Sequence, residues 1–263
     1  MLMRVSQQRP VLSVHGLKKH FGGVRALDGI DLEVHTGEIL GVIGPNGAGK
    51  TALINTITGF YRADEGRILL AETDITQLPM NRIGHLGVGR TFQNIRLFRR
   101  MTVLENVLVA FKAFAERPLH AFFGLADRRE TTARALHWLR LLQLEEQADQ
   151  VAASLSYGDA RRLEIARALA GEPSVLLLDE PAAGMNAAET QQLTRDIRTI
   201  RESVRAIVLI EHDMPLIRAL SDRIVAMDYG RKIAEGTADE VLTHPEVLRA
   251  YLGTDAETAG QAA

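Results

Sequence analysis

The chain has 263 residues, 46% of them hydrophobic and 24% charged, enough to bury a substantial core in one large domain or one domain with a sizeable insertion. Its formal net charge of -2 gives no basic excess of the kind that phosphate-backbone binding requires, so no nucleic-acid partner is expected. It holds no cysteine, which excludes disulfides, cysteine zinc sites and thiol catalysis.

In chain order, Met1 to Pro10 is polar and has no hydrophobic run after Arg4, so no secretory signal is expected. Ile30, Leu32 and Val34 alternate with Asp31, Glu33 and His35, the period-two pattern of a half-buried antiparallel strand. Glu38 to Ile43 is a short apolar run. It leads into Gly44-Pro45-Asn46-Gly47-Ala48-Gly49, then Lys50-Thr51 and a helix-compatible segment reaching Phe60: strand, glycine loop, helix.

The middle of the chain changes character. Leu104, Val107, Leu108, Phe111 and Phe114 recur at helical spacing behind a Thr102-x-x-Glu105 capping box, and a second helical pattern runs from about Arg128 to Leu144. Roughly residues 94 to 170 therefore read as a mostly helical subdomain inserted into an α/β core. Strand and helix alternation then resumes with Val175 to Leu178, a helix carrying Leu193, Ile197, Ile200 and Val204 on one face, and Ala206 to Ile210. Such alternation predicts a parallel sheet covered by helices.

Arg223 to Met227, the turn Asp228-Tyr229-Gly230 and Arg231 to Glu235 predict a hairpin, followed by a second capping box at Thr237-x-x-Glu240. The tail from Thr254 is rich in Ala, Thr and Gly and reads as disordered. The longest apolar stretches are strand-sized, whereas a membrane-spanning helix needs roughly 20 apolar residues. A cytoplasmic protein is expected.

Gly44-x-x-x-x-Gly49-Lys50-Thr51 has the spacing of a phosphate loop, in which glycines let successive backbone N–H groups point inward around an anion. Lys50 neutralises the β and γ phosphates, and the Thr51 hydroxyl is placed to ligate Mg²⁺. The following helix turns its N-terminal dipole on the same anion. Val175 to Glu180 supplies the complementary half, a buried strand that delivers carboxylates to the sheet's C-terminal edge. Asp179 would hold Mg²⁺ through water, and Glu180 would polarise the attacking water.

Leu155-Ser156-Tyr157-Gly158-Asp159 and the arginine-rich helix expected over Ala160 to Ala170 resemble the signature motif of the ABC ATPases, just upstream of Asp179-Glu180. The resemblance extends over about residues 10 to 253. It implies the ABC ATPase fold: a P-loop NTPase core with a mixed, mainly parallel sheet flanked by helices, an N-terminal antiparallel β subdomain and an inserted helical subdomain. It also implies that Gln93 contacts Mg²⁺ and the attacking water, that His212 donates to the γ-phosphate, and that Phe21 stacks on the adenine of ATP. Gly44, Pro45, Asn46, Gly47, Ala48, Gly49, Lys50 and Thr51 hold its phosphates. In this family two cassettes, identical or related, sandwich two ATPs head to tail. Ser156 and the Gly158 N–H then reach the nucleotide of the second subunit.

Three residues depart from the family pattern. Tyr157 and Asp159 replace a glycine and a glutamine of the signature, and Asn186 replaces the aspartate that closes the loop Ala182 to Asn186. Asp159 would repel the γ-phosphate if it faced it, so it is expected to turn toward Arg161 or Arg162.

The stretches Asn94 to Phe98, Met101 to Asn106, Pro181 to Asn186, Glu211 to Met214 and Arg249 to Gly253 resemble the branched-chain amino acid importer ATPases. That implies integral membrane permease subunits contacted near Gln93, an extracytoplasmic substrate-binding protein acting indirectly, and a peripheral position on the cytoplasmic face of the inner membrane. The ATPases of lipid and lipopolysaccharide export share parts of this pattern and stand as the alternative, with a soluble non-transport ABC ATPase behind them. Phe122-Phe123-Gly124 reads as packing within the helical subdomain or as a membrane-subunit contact.

Overall fold

The apolar alternation over Ile30 to Val34 lies in the second of two long strands that pair antiparallel. In the computed structural model, which describes residues 9–111 and 125–251, β1 (Leu12–Phe21) pairs with β2 (Val24–Val34) and with β4 (Glu65–Leu70). A short β5 (Thr73–Asp74) completes a four-stranded sheet of order β2-β1-β4-β5.

The strand expected over Glu38 to Ile43 is β3 (Glu38–Ile43), with all six residues buried. It lies inside a six-stranded sheet with β6 (Val88–Arg90), β7 (Val175–Asp179), β8 (Ala206–Ile210), β9 (Arg223–Asp228) and β10 (Arg231–Gly236), in the order β10-β9-β3-β8-β7-β6. The β9–β10 hairpin is antiparallel and the other pairings are parallel. A strand covered on both faces must be apolar throughout, which is why β3, β7 and β8 read as continuous runs.

Alternate residues of these strands enter two different cores. Leu40, Val42, Val175, Leu177, Val208 and Ile210 pack with the antiparallel sheet and with α1 (Lys50–Ile57). Ile39, Ile43, Leu176, Leu178, Ile207 and Leu209 pack on the opposite face with the helices. There α3 (Val103–Leu108), α4 (Leu125–Leu141) and α5 (Tyr157–Ala170) stand between β6 and β7 as the inserted helical segment, joined by α6 (Ala187–Ile200) and α7 (Met214–Leu220). Two smaller helices, α2 (Met80–Leu86) and α8 (Ala238–Leu242), complete the described elements named here.

Several boundaries differ from the sequence expectation. The helix after the glycine loop stops at Ile57, where the Thr58 hydroxyl turns back onto Ile54 O at 2.8 Å, and does not reach Phe60. Helix α3 ends at Leu108, so Phe111 is buried from a following turn, and Phe114 lies outside the described residues. The second helix ends at Leu141 because Gln143 adopts φ 58°, which leaves Leu144 buried beyond it. Val204 follows a short 3₁₀ turn after α6. Helix α5 starts at Tyr157 rather than Ala160, since the Ser156 hydroxyl caps it by accepting from the Asp159 N–H at 3.1 Å. Both expected capping boxes are present, at Thr102–Glu105 and Thr237–Glu240. Phe122 to Gly124 and the tail from Thr254 lie outside the described residues. Among the described residues no helix is long and apolar enough to cross a membrane.

Candidate functional site

Buried β3 ends at Ile43, and the chain turns through Gly44 to Gly49 directly into α1. Two of these glycines are required by space and backbone together. At Gly44, φ is +153° and a Cβ would lie 2.2 Å from Met227 O; at Gly49, φ is +102° and a Cβ would lie 2.5 Å from Ala26 O. The β9–β10 turn supports the loop from behind, the Gly230 N–H donating to Ala48 O at 3.0 Å. No side chain caps α1, so its first N–H groups stay available to an anion.

Lys50 is buried, and its Nζ donates to Gly44 O at 2.6 Å and Pro45 O at 3.0 Å. Burial pulls its pKa below the ordinary lysine value, while the charges of Glu180 and Asp179 oppose that shift. The loop cation and both carboxylates therefore share one electrostatic site. Thr51 follows, exposed, in the first turn of α1.

Asp179, the last residue of β7, is buried, and burial pushes its carboxyl pKa up. Opposing this, Arg90 Nη2 donates to its Oδ2 at 2.9 Å. Arg90 is held in turn by Asn55 Oδ1 at 2.6 Å and Thr58 Oγ1 at 3.2 Å at the end of α1. Glu180 sits at φ 45°, a left-handed conformation that costs about 1–3 kcal/mol in a non-glycine residue and that clusters at functional sites. Its backbone N–H donates to Ile210 O at 2.9 Å, while Gln93 Nε2 donates to its Oε2 at 2.8 Å.

His212 follows the end of the neighbouring strand β8 with its ring largely exposed, Nδ1 standing 3.8 Å from Glu211 Oε2. The fully buried Glu211 accepts from the Ala182 N–H at 2.8 Å and so ties the loop after Glu180 to the end of β8.

The structure thus brings Lys50, Asp179, Glu180 and Gln93 together around the glycine loop. Other expected residues make different contacts. Phe21 ends β1, half exposed, with Lys19 Nζ 5.3 Å from its ring centroid and Tyr61 edge-on at 4.9 Å. Among the described residues no hydrogen bond joins Ser156 or Gly158 to residues 44–51. Ser156 Oγ instead donates to Asp159 Oδ2 at 2.8 Å, and Asp159 Oδ1 pairs with Arg162 Nη2 at 3.0 Å, the turn toward Arg162 that its charge predicted. Asn186 caps α6 in a reciprocal box with Glu189.

Four side chains that hold these groups and their loops, Arg90, Arg161, Glu164 and Glu211, have no catalytic motif of their own, Arg161 being expected only as a partner for Asp159. The one local signal was the pair Arg161 and Glu164, three apart on the helical stripe that also carries Gly158 and Ile165 and faces inward.

Comparison with known proteins agrees with this geometry. The sequence profile of the ABC transporter family matches residues 27–183, and that of the branched-chain amino acid ATP-binding cassette transporter family matches residues 231–257. The high-affinity branched-chain amino acid transport ATP-binding protein LivG of Escherichia coli (strain K12) is 46% identical over 253 residues, covering 93% of this chain and 98% of that protein. Its counterpart BraF of Pseudomonas aeruginosa is 44% identical over 255 residues, with the same two coverages, 93% and 98%. Among solved structures, an ATP-binding cassette of an ABC transporter in its ADP conformation superposes with a TM-score of 0.83 at 34% identity, over 93% of this chain and 99% of that one. A dimeric, post-hydrolysis cassette bound to ADP and Pi gives 0.72 at 25% identity, over 86% and 98%.

Removing one member of a buried ion pair strands the other, at a cost of roughly 3 to 5 kcal/mol, whereas replacing both with apolar groups is far milder. Arg90→Met is therefore expected to lower the unfolding free energy by about that amount in urea titration. Arg90→Met combined with Asp179→Leu should recover most of the loss. Equal destabilisation of single and double variants would show that the pair does not compensate Asp179.

Proposed function

The chain belongs to the ABC transporter family as an ATP-binding, ATP-hydrolysing cassette, and from that premise we propose that it energises the uptake of branched-chain amino acids through a membrane permease. The single observation that supports the chemistry best is the placement of Glu180. It stands beside the Lys50 charge in a fixed, left-handed backbone, hydrogen-bonded by Gln93.

Phosphoryl transfer needs a positioned nucleophile and compensated oxyanion charge more than covalent chemistry. The backbone N–H groups of Gly44 to Thr51 would cradle the phosphates, and Lys50 would exchange its loop carbonyls for the β and γ oxygens. Glu180 would take the proton of the attacking water, with Gln93 orienting both, and His212 would donate to the γ-phosphate. Phe21 would stack on adenine through its exposed face.

The residues present fit Mg²⁺. Arg90 occupies only Oδ2 of Asp179, so one carboxylate oxygen and the Thr51 hydroxyl would suit an ion that keeps several waters. When bound, that ion offsets phosphate charge and fixes the direction of in-line attack.

Ser156 and the Gly158 N–H, at the start of α5, would complete the site of a second cassette, identical or related. Their lack of any hydrogen bond to this chain's own loop supports that reading, as does the dimeric form of one solved relative. ATP would bridge the two subunits better than ADP, so binding closes the pair and hydrolysis opens it.

A groove of about 450 Å³ lies beside Gln93, lined by Asn94, Ile95, Leu97, Arg99 and Tyr157 among others. It would receive a helix of the permease and place this chain at the cytoplasmic face of the membrane, with the extracytoplasmic binding protein acting only through that permease. The substrate class is supported by the names of the relatives and by the family match over residues 231–257.

Glu180→Gln is expected to bind MgATP, form a persistent ATP-bound dimer and lose turnover by roughly 10²- to 10⁴-fold, the usual contribution of a general base. Hydrolysis within a few-fold of the parent would remove Glu180 from this role. Membrane vesicles carrying the chain with its permease should take up labelled leucine with ATP, and the same vesicles carrying Glu180→Gln should not. Uptake that ignores this substitution would refute the coupling.

A further inference from the structure

Arg161 is the most voluminous side chain with no exposed surface in the described chain, and Glu164, one turn further along α5, is 1% exposed. Burying two ionised groups is expensive, and an apolar pair at such positions is often as stable or more so. Arg161 Nε even lacks a partner among the described residues. Fold stability alone therefore does not explain the pair.

Its hydrogen bonds point elsewhere. Arg161 Nη1 donates to Phe92 O at 2.6 Å and to Glu164 Oε2 at 2.7 Å, while Nη2 donates to Gln93 O at 2.7 Å. Glu164 Oε1 accepts from the Arg96 N–H at 3.2 Å and the Phe92 N–H at 3.5 Å. Two side chains of one helix thus fix the peptide planes on both sides of Cα of residue 93. The direction of the Gln93 side chain toward Glu180 depends on those planes.

The same guanidinium reaches Tyr157. Its Nη2 lies 3.5 Å from the Tyr157 hydroxyl, and that ring stands against Gly184, where a Cβ would meet it at 3.5 Å. A tyrosine where the family signature has glycine therefore links α5 to the loop that follows Glu180.

We propose that Arg161, backed by Glu164, is a positioning residue that joins the backbone around Gln93 to α5, so that Gln93 and Ser156 shift together as nucleotide is bound and released. This rests on the roles given above to Gln93 and Ser156. The groove lined by Asn94 to Arg99 belongs to the same unit, so displacement of the permease helix seated there moves the groups acting on both nucleotides. A rigid connection of this kind is one physical means of coupling two sites.

Arg161→Lys keeps the charge and its partner Glu164 but loses the planar fork that serves two carbonyls at once. In the nucleotide-free full-length chain, backbone amides of residues 92–97 should exchange roughly tenfold faster, the consequence of losing one charge-assisted hydrogen bond, with β3 and α1 unchanged. ATP affinity should stay within twofold, whereas ATP-driven association in a Glu180→Gln background and hydrolysis with Glu180 intact should both fall about tenfold. Arg161→Met combined with Glu164→Met removes the buried charges altogether, so it remains folded if the single variant does not, and it should give the same pattern. Unchanged exchange at residues 92–97, or faster exchange with normal association and hydrolysis, would overturn the proposal. So would a loss of ATP affinity that parallels global destabilisation. Gln93→Ala tests the underlying role separately: parent-level hydrolysis there would remove Gln93 from catalysis while leaving the exchange result for Arg161 intact.

Discussion

A site for a polyphosphate built next to two carboxylates must hold anion against anion. Asp179 at the end of β7 and Glu180 just beyond it carry that repulsion, and Lys50, Arg90 and the start of α1 oppose it. Lys50 is held by the loop carbonyls of Gly44 and Pro45 and feels the charges of both carboxylates. Arg90 pairs with Asp179 and is itself held by Asn55 and Thr58, which opposes the upward pull of burial on that carboxyl and fixes its direction. The unpaired amides at the start of α1 add positive potential without adding a mobile cation.

This arrangement follows from sheet topology. Strands β3, β7 and β8 run parallel and adjacent, so the residues after Ile43, Asp179 and Ile210 emerge at one edge. β7 and β8 are apolar up to Asp179 and Glu211, whereas β3 opens directly into the glycine loop, and the two cores on either face leave those strand ends little freedom. β6 lies beside β7 and ends at Arg90, three residues before Gln93. Cation and amide thus reach consecutive carboxylates from one short stretch of chain.

Much of this was legible in the sequence, for a physical reason. The glycine loop, the carboxylates after β7 and the caps at Thr102 and Thr237 are local: their chemistry is decided within a few residues. The buried strands and the terminal hairpin were equally plain from periodicity. Arg90 and Arg161 were not, because their partners are 89 and 68 or 69 residues distant and only the fold brings them together. Strands β1, β4 and β6 and helix α2 were likewise unread, their patterns being interrupted or short. Hydrophobic spacing overshoots the helix ends at Ile57, Leu108 and Leu141, because a backbone turn sets them.

In the proposed arrangement the chain holds half of a nucleotide site, and its signature helix serves another subunit. Nucleotide affinity of the isolated, monomeric Ser156→Arg variant tests this most directly, by titration with ATP and Mg²⁺. The expected result is the same affinity as the parent chain together with loss of ATP-driven association. A tenfold or greater loss of affinity in the monomer, with the fold intact, would place Ser156 on its own nucleotide and contradict it.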